Sequence, residues 1–419
     1  MSDIIVGLDI GTSNLRAVIG EYSEDGSLLI TGVGTAPSTG LRAGLIVNIE
    51  STMTSIKAAF EAAEMMAGRE VQSCITAVGG SQIESLTSKG LVAVTAKSKS
   101  SREINGEDIE RVLEASRAVN IPLDRHILHV IPRSYIVDGQ GGIKDPLNML
   151  GVRLESEVCI ITSSRTSTEN LLRCVSRAGY TVDNVMLKTL ASAQAVVSEE
   201  EKELGSIVID LGGGTTDVLV LAEGSPLCAV SIPVGGNLVS NDIALVRGIS
   251  LDTAEKLKKT SGCCWEGLVS EDDEVIIPGI GGNPPQVLSR LDICKIIQPR
   301  IEEIFAMVRQ KLPEQVKKQR LSGSVVLAGG GALMSGIAEL AAKEFKTENI
   351  RIAQPGNYGG PVEIYRSPEF ATVTGLLVSN TIAMKEKKAD ASIRQGTHRS
   401  HSTQGSVLRV IGEWFREFF

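Results

Sequence analysis

Two short stretches of this 419-residue chain combine residue types that suit phosphate chemistry. "LDIGTSNL" carries Asp9, Gly11, Thr12, Ser13 and Asn14; "IDLGGGTTDV" carries Asp210, Gly212, Gly213, Gly214, Thr215 and Thr216. Glycines let backbone N–H groups approach a polyphosphate with no Cβ in the way, and the hydroxyls add donors. Asp9 and Asp210 each close an apolar run, a placement that suits holding the water shell of a magnesium ion. That ion keeps most of its waters and takes few carboxylates directly. A third cluster, Gly329, Gly330 and Gly331 in "SVVLAGGGALMSGI", suits close approach of backbone to a flat ligand or tight strand–helix packing. It is not a dinucleotide fingerprint, because G-x-G-x-x-G is absent.

The elements that must position these residues are legible around them. Ile4–Glu21 and Ser206–Gly224 each read as apolar run, small polar turn, apolar run, with β-branched residues flanking the turn. Both are expected to be β-hairpins. A single Asp-Gly turn is an ordinary hairpin feature. Two of the same design, half a chain apart, point to duplicated lobes closing on one ligand. "SVVLA" reads as a buried strand feeding a glycine turn and then the start of a helix.

The composition sets limits. The length implies two to four domains. With 42% hydrophobic but only 3% aromatic residues, the cores must be built from Val, Ile, Leu and Ala. A net charge of −8 argues against nucleic acid as the main partner. The seven cysteines are scattered without a C-x-x-C pair, which argues against structural zinc and for a reducing, cytoplasmic setting. The vicinal Cys263 and Cys264 are expected as small buried fillers. The start "MSDIIVGLDIG" has no signal-peptide pattern, and no stretch reaches the about 20 apolar residues of a spanning helix.

The other end is unusual: four of the 14 aromatic residues fall in the last six positions. Lys385–Gln404 is polar and is expected to be a flexible linker. After Ser406, a residue suited to a helix cap, Val407, Val410, Ile411, Trp414, Phe415 and Phe418 recur at helical spacing. Charged residues take the other faces. A helix of about 21 Å is too short and too charged to span a bilayer and suits the membrane interface. Docking on the chain's own body is the competing reading, and the linker before it argues against that. From Lys385 to Phe419 there are seven basic and four acidic residues, so the tail carries +3 and the remainder −11. A basic tail on an acidic body suits attraction to anionic lipid. One tail would bind weakly, and many tails on one polymer firmly.

Taken together the motifs resemble the actin, sugar kinase and DnaK-type chaperone superfamily, in that family's order across Ile4–Asn380. "LDIGTSNLRAVIGE" and "IVIDLGGGTTDV" resemble its two phosphate motifs and "VVLAGGGALMSGI" its adenosine motif. Leu190–Val197 and Pro368–Asn380 resemble the two small-residue helices that cross at its interdomain hinge. Within the superfamily, Ser101–Ala118, Ile127–Glu155 and the amphipathic tail resemble the FtsA family of bacterial cell-division proteins.

The resemblance implies an α/β, two-lobed actin-like ATPase fold with an FtsA-type extra α/β subdomain and a C-terminal amphipathic helix. Its implied divisions are lobe I (1–82, 163–190 and 366–384), the inserted subdomain (83–162) and the lobe II core (191–235 and 292–365). The lobe II outer subdomain (236–291), the linker (385–404) and the tail (405–419) complete the chain. It implies ATP and Mg2+ in the cleft, with Gly11–Asn14 on one side of the phosphates, Gly212–Thr216 on the other and Gly329–Gly331 backing the adenosine. Glu255 and Lys258 share a helix face by spacing. The resemblance sets such a pair beside adenine and ribose, while a solvated salt-bridged face is the other reading.

The resemblance further implies self-association into filaments and anchoring of FtsZ polymers at the cytoplasmic side of the cell membrane, with other division proteins recruited later. Arg300 and Glu303, one helix face apart from the rest, are candidates to grip the FtsZ C-terminal peptide, a plain exposed face being the alternative. One departure bears on chemistry: the superfamily's water-orienting Gln or Glu falls near Lys188 here. No catalytic residue is therefore assigned, and ATP binding with weak or no hydrolysis is expected. Two rivals remain on the same scaffold. A sugar- or acetate-type kinase would need a catalytic carboxylate facing a polar sugar pocket, which is not found, and a PilM-like pilus-assembly platform would not need its own anchor.

Overall fold

The computed structural model describes residues 3–23, 27–94, 101–277, 285–314, 316 and 323–380. The expected linker (385–404) and amphipathic tail (405–419) lie outside the described residues.

Two five-stranded sheets repeat one plan. In the first, strand Asp3–Ile10 pairs antiparallel with Asn14–Tyr22, which pairs antiparallel with Leu28–Pro37. On its other side Asp3–Ile10 runs parallel to Ser73–Val78, and that strand parallel to Thr181–Leu187. In the second, Ser206–Leu211 stands where Asp3–Ile10 stood. It is antiparallel to Thr216–Ala222, followed by Ser225–Ile232, and parallel to Val325–Ala328, followed by Ile350–Ile352. Same order, same directions: the two lobes are duplicates, as the paired turns suggest.

Strand alternation decides what each face buries. Along the second sheet, Val208, Leu219 and Leu221 pack into a core shared with the first lobe, while Ile209, Leu211, Val218 and Val220 pack into a separate outer core. A strand buried on both faces reads as a continuous apolar run, which is why "SIVIDL" and "VLVLA" show no polar alternation.

Between Ser73–Val78 and Thr181–Leu187 the chain inserts a four-stranded sheet. Its order is Gln140–Ile143, Arg125–Val137, Arg153–Ser164, Glu84–Ala93, with helix Gly106–Arg117 packed on it. Asn105 caps that helix by accepting from Asp108 N–H, and Asp108 returns the bond to Asn105 N–H. The insert has its own core around Ile104, Ile109, Leu113, Tyr135 and Val158. It also touches the second lobe, where Ser85 Oγ donates to Ala229 O and accepts from Ala229 N–H, both at 2.8 Å.

The lobes are joined by two crossing helices, Lys188–Val196 and residues 371–380. A Cβ on Gly375 would stand 1.8 Å from Ala191 O, so the two backbones touch directly. Ser192 and Thr372 add a hydroxyl contact at 2.9 Å. Small residues here exist for this approach. The cysteines are free and buried, Cys263 and Cys264 among them, and serve as core fillers. Among the described residues no helix is long and apolar enough to cross a membrane.

Candidate functional site

A cleft of about 650 Å³ opens between the lobes. Asp9, Gly11, Thr12, Ser13 and Asn14 line it from the first hairpin, Asp210, Gly212, Gly213 and Thr215 from the second, and Gly329, Gly330 and Gly331 from the third cluster. Glu255 and Lys258 line it from helix Leu251–Ser261.

The two hairpin turns face each other at close range. A Cβ on Gly213 would lie 2.0 Å from Ser13 Oγ, and one on Gly214 2.7 Å from the Thr12 methyl. Ser13 Oγ donates to Asn237 Oδ1 at 3.2 Å, and Asn237 N–H to Gly213 O at 2.8 Å. This is a cradle that any side chain on those glycines would fill. Gly214 and Thr216 take part differently: neither lines the cleft wall, Gly214 packing on Thr12 and Thr216 Oγ1 donating to Val234 O. Behind the cradle Gly329, at φ 79°, passes so near Asp210 that a Cβ would meet Oδ1 at 2.3 Å.

At the cleft floor three buried carboxylates surround one ammonium. Lys188 Nζ lies 2.8 Å from Asp9 Oδ1. Burial works against its charge, yet Asp9, Asp210 and Asp217 outweigh that and hold the lysine above its usual pKa. Burial pushes the Asp210 carboxyl up to about 6; Lys188 opposes this, and Asp217 and Asp9 add to it. Asp217 accepts Gly80 N–H at 2.8 Å and the Thr215 hydroxyl at 3.0 Å. A single lysine under-compensates three carboxylates, so the floor suits a further cation. Among the described residues no three His, Cys, Asp or Glu side chains converge as a ready ligand set. A magnesium ion would therefore be held through its water shell, as that ion prefers.

On the opposite wall Lys258 Nζ pairs with Glu255 Oε2 at 2.6 Å and donates to Gly236 O at 2.9 Å. Burial lowers the Lys258 pKa, with Glu255 opposing. For Glu255 burial is outweighed by Lys258 and Ser240, and its carboxyl stays below its usual value.

Three contributors escaped the sequence reading. Asp217 stands directly across the ladder from Asp210, and Arg16 across from Asp9. Hairpin register alone would have found both. Arg16 Nη2 pairs with Glu369 and its guanidinium sits 5.1 Å from the Phe370 ring centre, tying the first hairpin to the hinge segment. Asn237 opens helix Gly236–Arg247, whose first turn had no evident signal. Outside the cleft, Arg300 is bidentate to Asp242 (2.6 and 2.9 Å) and also reaches Glu303. The membrane-facing candidates Val407 to Phe418 lie outside the described residues.

The inserted sheet reaches this floor. His129 Nε2 accepts Leu187 N–H at 2.9 Å, one residue before Lys188. Burial pushes the imidazole down to about 3, so it stays neutral and able to accept.

Comparison with known proteins places this architecture. A family model described as "Cell division protein FtsA" matches residues 207–375, and "SHS2 domain inserted in FTSA" matches 80–162. The chain is 42% identical to the cell division protein FtsA of Borreliella burgdorferi, over 99% of both chains. The chain belongs to the FtsA family. It is 38% identical to the FtsA of Pseudomonas aeruginosa (99% of this chain, 98% of that one) and 40% to that of Bacillus subtilis (90% and 83%). As a member of that family it is a cell-division protein, and its four-stranded insert is the SHS2 domain. Among solved structures it is similar to the PilM–PilN type IV pilus biogenesis complex, with TM-score 0.63 and 19% identity over 90% of this chain and 98% of that one. It is also similar to MreB5 of Spiroplasma citri bound to ADP, with TM-score 0.52 and 16% identity over 93% and 98%. These likenesses show the actin-like fold, and the FtsA relatives show the family within it.

Proposed function

We propose that this FtsA-family chain binds ATP with magnesium in the interlobe cleft and turns it over slowly. Gly11 to Asn14 and Gly212, Gly213 and Thr215 would hold the phosphates, with Gly214 and Thr216 supporting that turn from behind, Gly329 to Gly331 the adenosine, and Glu255 and Lys258 its adenine and ribose edge. Asp9 and Asp210 would hold the water shell of the ion. The observation that carries this reading is the cradle of opposed turns, closed to side chains at Gly213 and Gly214 and ringed by hydroxyls. The like-folded MreB5 was solved with ADP and with AMPPNP, which supports a nucleotide over other ligands. Bound magnesium supplies positive charge against the phosphates. Lys188, near the position where the superfamily carries a water-orienting Gln or Glu, offers an ammonium with no lone pair to take a proton from water. Hydrolysis is consequently slow. Equilibrium ATP binding together with phosphate release tests both halves: tight retention with release far slower than one per second is expected, and release at several per second refutes it.

Family membership supports the rest of the proposal. The chain would self-associate into filaments and hold FtsZ polymers at the cytoplasmic face of the membrane, engaging the FtsZ C-terminal peptide near Arg300 and Glu303. With Arg300 committed to Asp242, Glu303, 55% exposed, is the freer of the two. Residues 405–419 would lay Val407, Val410, Ile411, Trp414, Phe415 and Phe418 into anionic lipid. The domain divisions read from the sequence belong to the same proposal. Sedimentation with anionic vesicles, with and without residues 405–419, tests the anchor: the truncated chain should stay in solution, and co-sedimentation of it overturns the anchor.

A further inference from the structure

Lys188 is built into the cleft floor, not laid over it. It is the first residue of helix Lys188–Val196 and its side chain is only 15% exposed. A Cβ on Gly79 would stand 3.1 Å from Lys188 Cβ and 3.3 Å from its Cδ, so the glycine leaves the slot along which the lysine stem runs. The stem's root is fixed from the other side by His129, which takes the N–H of Leu187. The charge at its tip then meets Asp9 at 2.8 Å.

The neighbouring carboxylates have donors of their own. Asp217 is served by Gly80 N–H and Thr215 Oγ1, and Asp210 by Thr372 Oγ1 at 3.4 Å. The partner of Asp9 is the ammonium. The cation built into this floor is thus the lysine, held at 2.8 Å from Asp9. A polyphosphate approaching these three carboxylates is repelled, and a fixed positive charge at short range reduces that repulsion.

We infer that Lys188 is a built-in counter-cation that shares with magnesium the task of offsetting phosphate charge, so that ATP binds this chain with only weak dependence on divalent metal. The inference rests on the cleft being an ATP site, and goes beyond that reading in assigning the metal dependence to one residue. A lysine is suited to this as a compact point charge on a long stem, with no demand for a planar bidentate partner.

Equilibrium dialysis of ATP against the full chain tests it, in excess magnesium and in excess EDTA. The wild type should lose less than about tenfold in affinity when the metal is removed. Lys188→Gln should lose at least about tenfold more than the wild type does on the same removal. Lys188→Arg, which keeps the charge, should follow the wild type. Thermal melts of each variant report whether it is folded, and the two wild-type measurements stand without any variant. Wild-type binding in magnesium but not in EDTA overturns the inference and leaves the ATP reading intact. Lys188→Gln with wild-type metal dependence also overturns it. So does tighter ATP binding by Lys188→Gln in magnesium, which would make the ammonium a rival of the metal. No wild-type binding in either condition overturns the ATP reading, and this inference with it.

Discussion

Replacing Gly375 by alanine sets two effects of opposite sign against each other. Position 375 lies within the helix 371–380, where alanine is favoured over glycine by about 1 kcal/mol on propensity alone. The new Cβ would, however, stand 1.8 Å from Ala191 O and 2.4 Å from its carbonyl carbon. A carbon and a carbonyl oxygen rest at about 3.3 Å, so the crossing helices must part by roughly 1.5 Å. The obstacle is backbone, which no rotamer change can move aside. Overpacking costs about 1–3 kcal/mol, and this case belongs at the upper end. Stretching the 2.9 Å contact between Ser192 and Thr372 removes about 1 kcal/mol more. Set against the propensity gain, the net is a loss of about 2–3 kcal/mol. Thermal and urea unfolding of Gly375→Ala should show a midpoint lowered by several degrees, with ATP affinity reduced because this crossing sets the spacing of the two lobes that line the cleft. An unchanged or raised midpoint would mean that propensity wins, and that the backbones do not meet as described.

Three further outcomes follow from the same geometry. His129 is held neutral, with its folded pKa near 3 against an ordinary 6.5, so its contribution is complete above about pH 6.5 and is lost as pH falls toward 3. At pH 5 that loss is about 2 kcal/mol, and His129→Gln should flatten the slope in a pH series of melts; an identical slope removes His129 as its source. Arg351 is bidentate to Glu201 (2.7 and 2.6 Å) and holds that carboxyl down to about 2, so this pair stabilises above about pH 4.5 and fades as pH falls toward 2. Arg351→Ala should cost about 2 kcal/mol at neutral pH and shrink the acid-side slope, both read from urea unfolding; loss of neither would make the pair incidental. Gly213→Ala pushes a methyl onto Ser13 Oγ and should weaken ATP binding by about tenfold or more with little change in melting, whereas wild-type affinity would show that the cradle does not hold the phosphates.

What the sequence disclosed was local. The paired "DIG" and "DLG" turns revealed two hairpins, their glycines and the end-of-strand carboxylates, because hairpin chemistry is written in consecutive residues. The small-residue helices that meet at Ala191 and Gly375 were expected from the family resemblance, which supplied the crossing that neither stretch shows alone. Pairings over long separations were not. Glu255 and Lys258 read equally well as a solvent face until helix Leu251–Ser261 turned them toward Gly236. Arg300 looked free because its partner, Asp242, is 58 residues away on another helix. Lys188 appeared only as a mismatch to a superfamily position; its partner Asp9 comes from the far end of the first lobe's chain. The SHS2 insert hides a further link, since nothing near His129 announces that it serves Leu187.

The seam at Ser85 also closes part of a sheet edge. Strand Ser225–Ile232 is the outermost member of the second lobe's sheet, and such a strand ordinarily offers unsatisfied amide and carbonyl groups to any passing chain. At Ala229 both groups are already taken by one serine hydroxyl of the SHS2 domain. A further strand therefore cannot be added to this sheet at Ala229, because the two groups it would have to pair with are already engaged within the chain.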